Sequence, residues 1–181
     1  MKLLRTIRLD PSDTFVFDSA AEPGEWAVTG TFLFSDADPD ALQGKARSAF
    51  RAGFLGVASF GFSTLVQIVE ATEDARAQAI RELAIQLRDR LGAPNLQVAE
   101  AAASEEVEFA ASLCEPHDID TLIAMHRRFD AGGLRETFRS LKPKADRKAF
   151  RAFTFLDSDD GEQEDAGETV DLMNLAQGDR T

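Results

Sequence analysis

The residues with soft metal-binding side chains lie in one short region of the sequence. The chain has one cysteine and two histidines, Cys114, His117 and His126. A Cys-x-x-His pair with a second histidine supplies three zinc ligands, and Asp118 or Asp120 could complete the shell. Structural zinc sites more commonly use four Cys or His residues in paired spacing. The pattern therefore favours a buried apolar role for Cys114, and we expect neither a metal nor another cofactor, with these three residues as weak candidates.

Positive charge is concentrated between residues 127 and 151. This segment has nine basic and three acidic residues, a net charge of +6, in a chain whose formal net charge is −12. Such a local excess of one sign indicates a surface that binds an anion or an acidic partner. The residues that we expect to form it are Arg127, Arg128, Arg135, Arg139 and Lys142.

This basic segment allows three interpretations. It is a solvated helix face, or it binds an acidic partner, or it holds a phosphorylated or carboxylated small molecule. Arg135 and Arg139 are four residues apart, so on a helix they share one face and could grip a single anion. We favour a non-catalytic binding or accessory protein with a protein or other anionic partner. The alternative is a small enzyme or binding protein for a small anion, with His126 as the acid–base group.

The C-terminal region has the opposite charge. Between residues 157 and 181 there are nine acidic residues against Arg180 alone, a net charge of −8. An acidic run interspersed with glycine and serine is typical of a segment without stable structure. The sequence therefore predicts one domain over residues 1–150 and an acidic, flexible tail over 151–181, which could shield the basic segment.

Residues 52–69, AGFLGVASFGFSTLVQIV, contain no charge. A membrane-spanning helix needs about 20 predominantly apolar residues in one helix, whereas the helical pattern here stops near Gly56. The glycines do not fit a phosphate-binding loop, because their spacing differs and the loop runs from a helix into a strand. We expect a helix end, a loop and a buried strand.

Hydrophobic periodicity predicts an α+β fold with an antiparallel or mixed sheet and helices packed on one side. The predicted order is β-β-β-α-β-α-α-α. The predicted strands cover residues 3–9, 14–17, 24–34 and 62–71. The four helices of this order cover residues 38–56, 72–91, 97–115 and about 118–129, and a further short helix is predicted over residues 134–142.

Composition restricts the partners and the compartment. A net charge of −12 opposes binding to nucleic acid or to an anionic lipid surface. A single cysteine excludes an internal disulfide and suits a reducing compartment. Charges at Lys2, Arg5, Arg8 and Asp10 leave no apolar run for a signal peptide. We therefore expect a cytoplasmic protein that does not associate with membranes.

Several sequence blocks together resemble a bacterial family of domains of unknown function. The blocks are LLRTIRLDPSDTFVF, GEWAVTG, GKARSAFRAGFLGVASFG, STLV, AASLC and LRETFRSLKP. The resemblance covers about residues 1–145 and excludes the tail. It implies a compact bacterial cytoplasmic protein, and it implies no activity, cofactor or catalytic residue.

Overall fold

A single antiparallel sheet organises the described part of the chain. The computed structural model describes residues 1–131, 133–143 and 153–157, with side chains as far as residue 141. The strands are β1 (Lys2–Ile7), β2 (Trp26–Val28), β3 (Phe54–Gly56), β4 (Phe62–Ser63), β5 (Leu65–Glu70), β6 (Leu122–Asp130), β7 (Gly133–Pro143) and β8 (Phe153–Asp157). Their order across the sheet is β4-β3-β2-β1-β5-β6-β7-β8, and all neighbouring strands are antiparallel. The predicted α+β class is confirmed.

Four α-helices accompany the sheet in the described part of the chain. They are α1 (Ser12–Val16), α2 (Gly44–Ala52), α3 (Glu73–Leu91) and α4 (Leu96–Cys114). The two long helices pack against each other, and α4 lies on β1 and β2. Their buried alanines, leucines and valines join β1, β2 and β5 in the main core. A smaller core of Phe17, Phe34, Ala49 and Phe50 lies beside α1 and α2.

The two long helices and the position of the strand agree with the sequence prediction, although only alternate residues of that strand are buried. The Thr72 hydroxyl accepts the Ala75 N–H at 3.1 Å and caps α3, which ends at Gly92 in the left-handed region. The strand predicted at 62–71 appears as β4 and β5. Its longer part, β5, lies between β1 and β6 near the middle of the sheet. The local cap residues and the uninterrupted apolar run were sufficient to predict these elements.

Three predictions in the first third of the chain were wrong in extent or type. Residues 14–17 belong mostly to the short helix α1, not to a strand. The strand predicted over 24–34 is only β2, followed by a 3-10 turn over Thr31–Phe34. Gly30 causes this change of direction, because it adopts φ +72° and a Cβ there would lie 2.6 Å from the Cβ of Leu55. The helix predicted over 38–56 begins only at Gly44 and ends at Ala52, and Phe54–Gly56 form β3.

Two predicted helices are strands, so the predicted element order was also wrong. Residues 118–129 and 134–142 were assigned to helices, but most of them form the antiparallel hairpin of β6 and β7. Alternating side chains of the hairpin face the core, and among these inward positions are Arg127 and Glu136. Because each strand carries one charged residue in its inward row, neither shows the clean apolar alternation that indicates a strand.

The uncharged stretch contains a loop built around an internal carboxylate. The Ala58 and Ser59 N–H groups donate to Glu25 Oε2 at 2.8 Å, and the Ser59 hydroxyl donates to Glu25 Oε1 at 2.6 Å. Gly56 leaves room for that carboxylate, since a Cβ there would lie 2.5 Å from its carbon atom. The loop therefore does hold an anion, and that anion is a side chain of the protein itself.

The predicted domain boundary near residue 150 falls in a part of the chain that is not described. Residues 144–152 and 158–181 lie outside the described residues, so the acidic tail stays a sequence prediction. β8 lies beyond that boundary and pairs with β7 from Arg139–Asp157 to Pro143–Phe153.

Candidate functional site

The hairpin of β6 and β7 separates its charged residues between two faces. Nine directly opposite pairs run from Leu122–Leu141 to Asp130–Gly133. Side chains alternate along a strand and opposite residues share a face. One row therefore points into the protein and includes the opposed pair Arg127–Glu136. The other row points to solvent, and its members near the middle of the hairpin are polar or charged.

Arg127 belongs to the interior and not to a binding surface. Its side chain is 0% exposed. Nη1 donates to the carbonyls of Ala49 at 3.3 Å and Phe50 at 2.9 Å, Nη2 donates to the Thr29 carbonyl, and Nε donates to Glu136 at 2.9 Å. Ala49 and Phe50 lie in the last turn of α2, at the negative end of the helix dipole, which attracts a cation. The prediction that Arg127 binds a partner is therefore wrong, because its guanidinium fastens α2 to the sheet.

Burial changes the acid–base behaviour of this guanidinium. Desolvation lowers the pKa of Arg127 from its usual value, while the hydrogen bond and the charge of Glu136, and more weakly Glu106, raise it. The Thr31 hydroxyl also contacts this pair, since it accepts from Arg127 Nε at 2.8 Å and donates to Glu136 Oε1. Arginine remains charged in proteins, so the hairpin holds a buried ion pair.

The solvent-facing row forms the candidate site. His126 and Arg128 on β6 are exposed, as are Arg135, Thr137 and Arg139 on β7. Arg51 at the end of α2 approaches the same row, with its Nη2 3.5 Å from His126 Nε2. We call this surface the cationic face, and its members are Arg51, His126, Arg128, Arg135, Thr137 and Arg139.

His126 lies in the positive field of the cationic face. Burial lowers the pKa of His126 from its usual value of 6.5, and the charges of Arg51, Arg128 and Arg139 lower it further. The three neighbouring guanidinium groups make a local surplus of positive charge around the imidazole. An acidic group placed there would relieve that surplus.

The spacing of the arginines decides what size of anion the cationic face suits. Arg128 and Arg135 are directly opposite each other, so their Cβ atoms are about 5 Å apart. Arg135 and Arg139 are four residues apart on a strand, which separates them by about 13 Å. The proposed grip of both residues on one anion depended on a helix and is wrong. Arg135 also forms an ion pair with Asp130, with its Nε 2.9 Å from Asp130 Oδ2.

Lys142 lies beyond this surface along β7. Its backbone pairs with Thr154 of β8, and its side chain lies outside the described residues. Whether it joins the cationic face therefore stays a prediction.

The three weak metal candidates do not form a site in the described part of the chain. Cys114 is fully buried, donates to the Ala110 carbonyl at 3.3 Å, and has its thiol pKa raised to about 12, chiefly by burial. His117 follows α4, and its carbonyl accepts from Lys2 Nζ at 2.5 Å. His126 lies on the cationic face. Among the described residues, no three His, Cys, Asp or Glu side chains are grouped as metal ligands.

Sequence reasoning missed two residues, Arg51 of the cationic face and Glu136, the partner of Arg127. Arg51 is 75 residues from His126 along the chain, and no local pattern links them. Glu136 was counted only as one of the three acidic residues in the basic segment, and its pairing with Arg127 was not predicted. The alternation of His126 and Arg128 around Arg127 is the pattern that could have revealed a strand with two charged faces.

The chain is thus an α+β protein with one antiparallel sheet and an exposed cationic hairpin. Its family is one of unknown function, DUF6505, whose model matches residues 1–158, so the chain belongs to that family. No curated protein and no solved structure matches it. In the part that the structure describes, none of the helices has the length and apolar character needed to cross a membrane.

Proposed function

We propose that this protein is a non-catalytic accessory protein that binds an acidic protein partner through the cationic face. The observation that carries the proposal is the solvent-facing row of the hairpin, where Arg128, Arg135 and Arg139 are exposed and Arg51 approaches His126. Arginine is well suited to such a role, because its guanidinium binds carboxylates bidentately and is weakly hydrated.

The dimensions of the cationic face favour an extended acidic segment over a small molecule. Arginines separated by about 13 Å on a strand can contact carboxylates on successive parts of a peptide. A small anion would contact only a part of the row. The overall net charge of −12 disfavours nucleic acid, because a long polyphosphate extends beyond the local positive patch into a repulsive field.

A phosphorylated or carboxylated small molecule is the second candidate. Its support is His126, an exposed imidazole whose pKa is lowered by burial and by the neighbouring Arg51. A neutral imidazole at physiological pH can act as a general base. This candidate requires the small anion to bind between Arg51, His126 and Arg128.

We further propose that the protein acts in the bacterial cytoplasm. Its single cysteine, buried at 0% exposure, suits a reducing compartment. The resemblance of its sequence blocks to a bacterial family supports the source, and no feature of its composition suggests association with a membrane.

A charge-reversal comparison tests the partner proposal. Arg128→Glu changes the cationic face, whereas Arg81→Glu makes the same change in net charge at an exposed position of α3. The tagged full-length chain and both variants would be purified from the host, and co-purifying proteins and metabolites identified by mass spectrometry. An acidic protein retained by wild type and Arg81→Glu but lost from Arg128→Glu is the expected result.

Two other results of that comparison would contradict the proposal. If both variants retain the same proteins as wild type, the cationic face does not bind them. If a small phosphorylated or carboxylated compound is lost only from Arg128→Glu, the second candidate is correct instead.

A further inference from the structure

One side of α4 brings a glutamate near the inward row of β7. Phe109 of α4 contacts Phe138 of β7 edge-on, with ring centroids 6.4 Å apart. Glu106 precedes Phe109 by one helical turn, and Glu136 precedes Phe138 by two positions on the same face of the strand. Residues one turn apart on a helix share a face. The aromatic contact therefore directs Glu106 toward Glu136.

One carboxylate oxygen of Glu106 is buried without a hydrogen-bond partner. Among the described residues, Glu106 Oε2 is one of two such buried side-chain atoms. Glu136 Oε1, by contrast, accepts hydrogen bonds from Arg127 and Thr31. A buried ionised carboxylate without a partner is strongly unfavourable. The arrangement is therefore suited to a neutral Glu106.

The charged groups around Glu106 come from its own helix and from both strands of the hairpin. Burial is the main cause that raises the pKa of Glu106, from 4.5 to about 7. The negative charges of Glu136 and, to a smaller extent, Glu105 raise it as well. Arg127 lowers it, because its positive charge favours the carboxylate. Glu106 thus changes charge in the physiological range of pH.

We propose that Glu106 is a proton-dependent contact between α4 and the β6–β7 hairpin. When Glu106 is neutral, this turn of α4 packs on β7 as the structure shows. When Glu106 ionises, its charge lies beside that of Glu136, and the turn around residue 106 moves away from the hairpin so that the carboxylate is hydrated. This inference concerns the opposite side of the hairpin from the cationic face and does not depend on a partner.

The direction of the pH dependence follows from the raised pKa. In the open state, Glu106 titrates near the ordinary value of 4.5. The closed contact binds its proton more tightly, so it is favoured below pH 4.5 and this advantage is lost as the pH rises through about 7. Between about pH 6 and pH 8, we expect the closed contact to weaken roughly three- to tenfold, allowing for partial exposure of Glu106.

Two measurements on the full-length chain test the proposal. Carbon-detected NMR of the side-chain carboxyl groups gives the titration midpoint of Glu106. Amide hydrogen exchange along α4, corrected for the intrinsic effect of pH, gives the opening of that helix near pH 6 and near pH 8. Glu106→Gln keeps the shape without the charge, and Glu105→Gln is the matched control on the exposed neighbour.

The expected result is a titration of Glu106 near neutral pH and a loss of α4 protection near pH 8. That loss should occur in wild type and Glu105→Gln, and should be absent in Glu106→Gln. A midpoint near 4.5, or equal pH dependence of protection in wild type and Glu106→Gln, would overturn the proposal. If Glu106→Gln does not fold, unchanged wild-type protection between the two pH values would overturn it equally.

Discussion

At the scale of single residues, Arg127 is a charged side chain that is completely buried and that connects several parts of the fold. Its three guanidinium nitrogens contact oxygens from α2, from residues 29 and 31 and from Glu136. The central carbon of the guanidinium lies over the Phe34 ring, 5.4 Å from its centre. Removing one partner of a buried ion pair leaves the other charge without compensation, and that loss is larger than the net worth of the pair.

Replacing Arg127 should therefore destabilise the fold far more than replacing its neighbour. We expect Arg127→Met to lower the free energy of unfolding by about 3–5 kcal/mol, because Glu136 and several carbonyls lose their donor. Arg128→Met makes the same chemical change on the exposed face and should lower it by no more than about 0.5 kcal/mol. Urea denaturation of both variants measures the difference. Equal losses would show that Arg127 is not the centre of the network.

The titration of His126 should respond to occupancy of the cationic face. Because burial and the charges of Arg51, Arg128 and Arg139 lower the pKa of His126, a bound acidic peptide should raise it by neutralising those charges. Binding then takes up a proton, so the affinity should increase as the pH falls from about 8 to about 5.5.

NMR of the imidazole signals, with and without polyglutamate, measures that change. The signals of His117, which lies outside the cationic face, provide an internal reference that polyglutamate should leave unchanged. If polyglutamate binds but the titration midpoint of His126 does not change, the peptide binds elsewhere on the protein.

At the scale of elements, the sequence was sufficient to predict a helix or strand where the local signals agree with the tertiary packing. The capping hydroxyl of Thr72, the left-handed Gly92 and the apolar stripe of α3 all indicate the same helix. The hairpin lacked such agreement. Its strand pattern is broken by Arg127 and Glu136, and these inward charges are tolerated only because they face each other across the strands. That pairing is non-local, so no window of either strand alone predicts it.

The loop between β3 and β4 offers a second case of an internal charge. Glu25 accepts two backbone and one hydroxyl hydrogen bond from residues 58 and 59, and the Glu22 N–H also donates to it at 2.6 Å. A carboxylate that accepts several donors of one loop fixes the loop conformation. The glycine at position 56 belongs to the same arrangement, because it lets the carboxylate approach.

We expect Glu25→Gln to destabilise this loop specifically. The amide has one accepting oxygen where the carboxylate has two, so in either orientation of the amide some of these donors lose their acceptor, at a cost of about 1–3 kcal/mol. Glu22→Gln, at an exposed position nearby, is the control and should be near neutral. Thermal unfolding gives the global effect, and hydrogen exchange at residues 58 and 59 gives the local one. Unchanged thermal unfolding together with unchanged protection of these amides would contradict the assigned role of Glu25.

At the scale of the whole molecule, charge is distributed unevenly along the chain and on its surface. The segment 127–151 carries +6 and the segment 157–181 carries −8. The structure divides the basic residues further, since Arg127 is buried while Arg128, Arg135 and Arg139 are exposed. Composition alone predicted the excess of charge, but only the strand alternation shows which arginines can meet a partner. The acidic segment remains a candidate competitor for the cationic face.

Removing the acidic segment should expose the cationic face. Truncation after Ser158 keeps the residues that match the family, removes eight acidic residues and Arg180, and changes the formal net charge from −12 to −5. Single exposed ion pairs contribute only about 0–1 kcal/mol, but several on a tethered segment act at high effective concentration. We therefore expect the truncated chain to be retained more strongly than the full chain on a cation-exchange resin at low salt.

A gain in retention could also follow from net charge alone, so the position of the charge must be tested. Introducing Arg128→Glu into the truncated chain should abolish most of the gain, whereas Arg81→Glu, with the same net charge, should leave most of it. The gain should also disappear as the salt concentration rises, because the Debye length falls from about 10 Å at 0.1 M to about 3 Å at 1 M. If the two substitutions reduce retention equally, the acidic segment changes the overall charge of the protein without covering the cationic face.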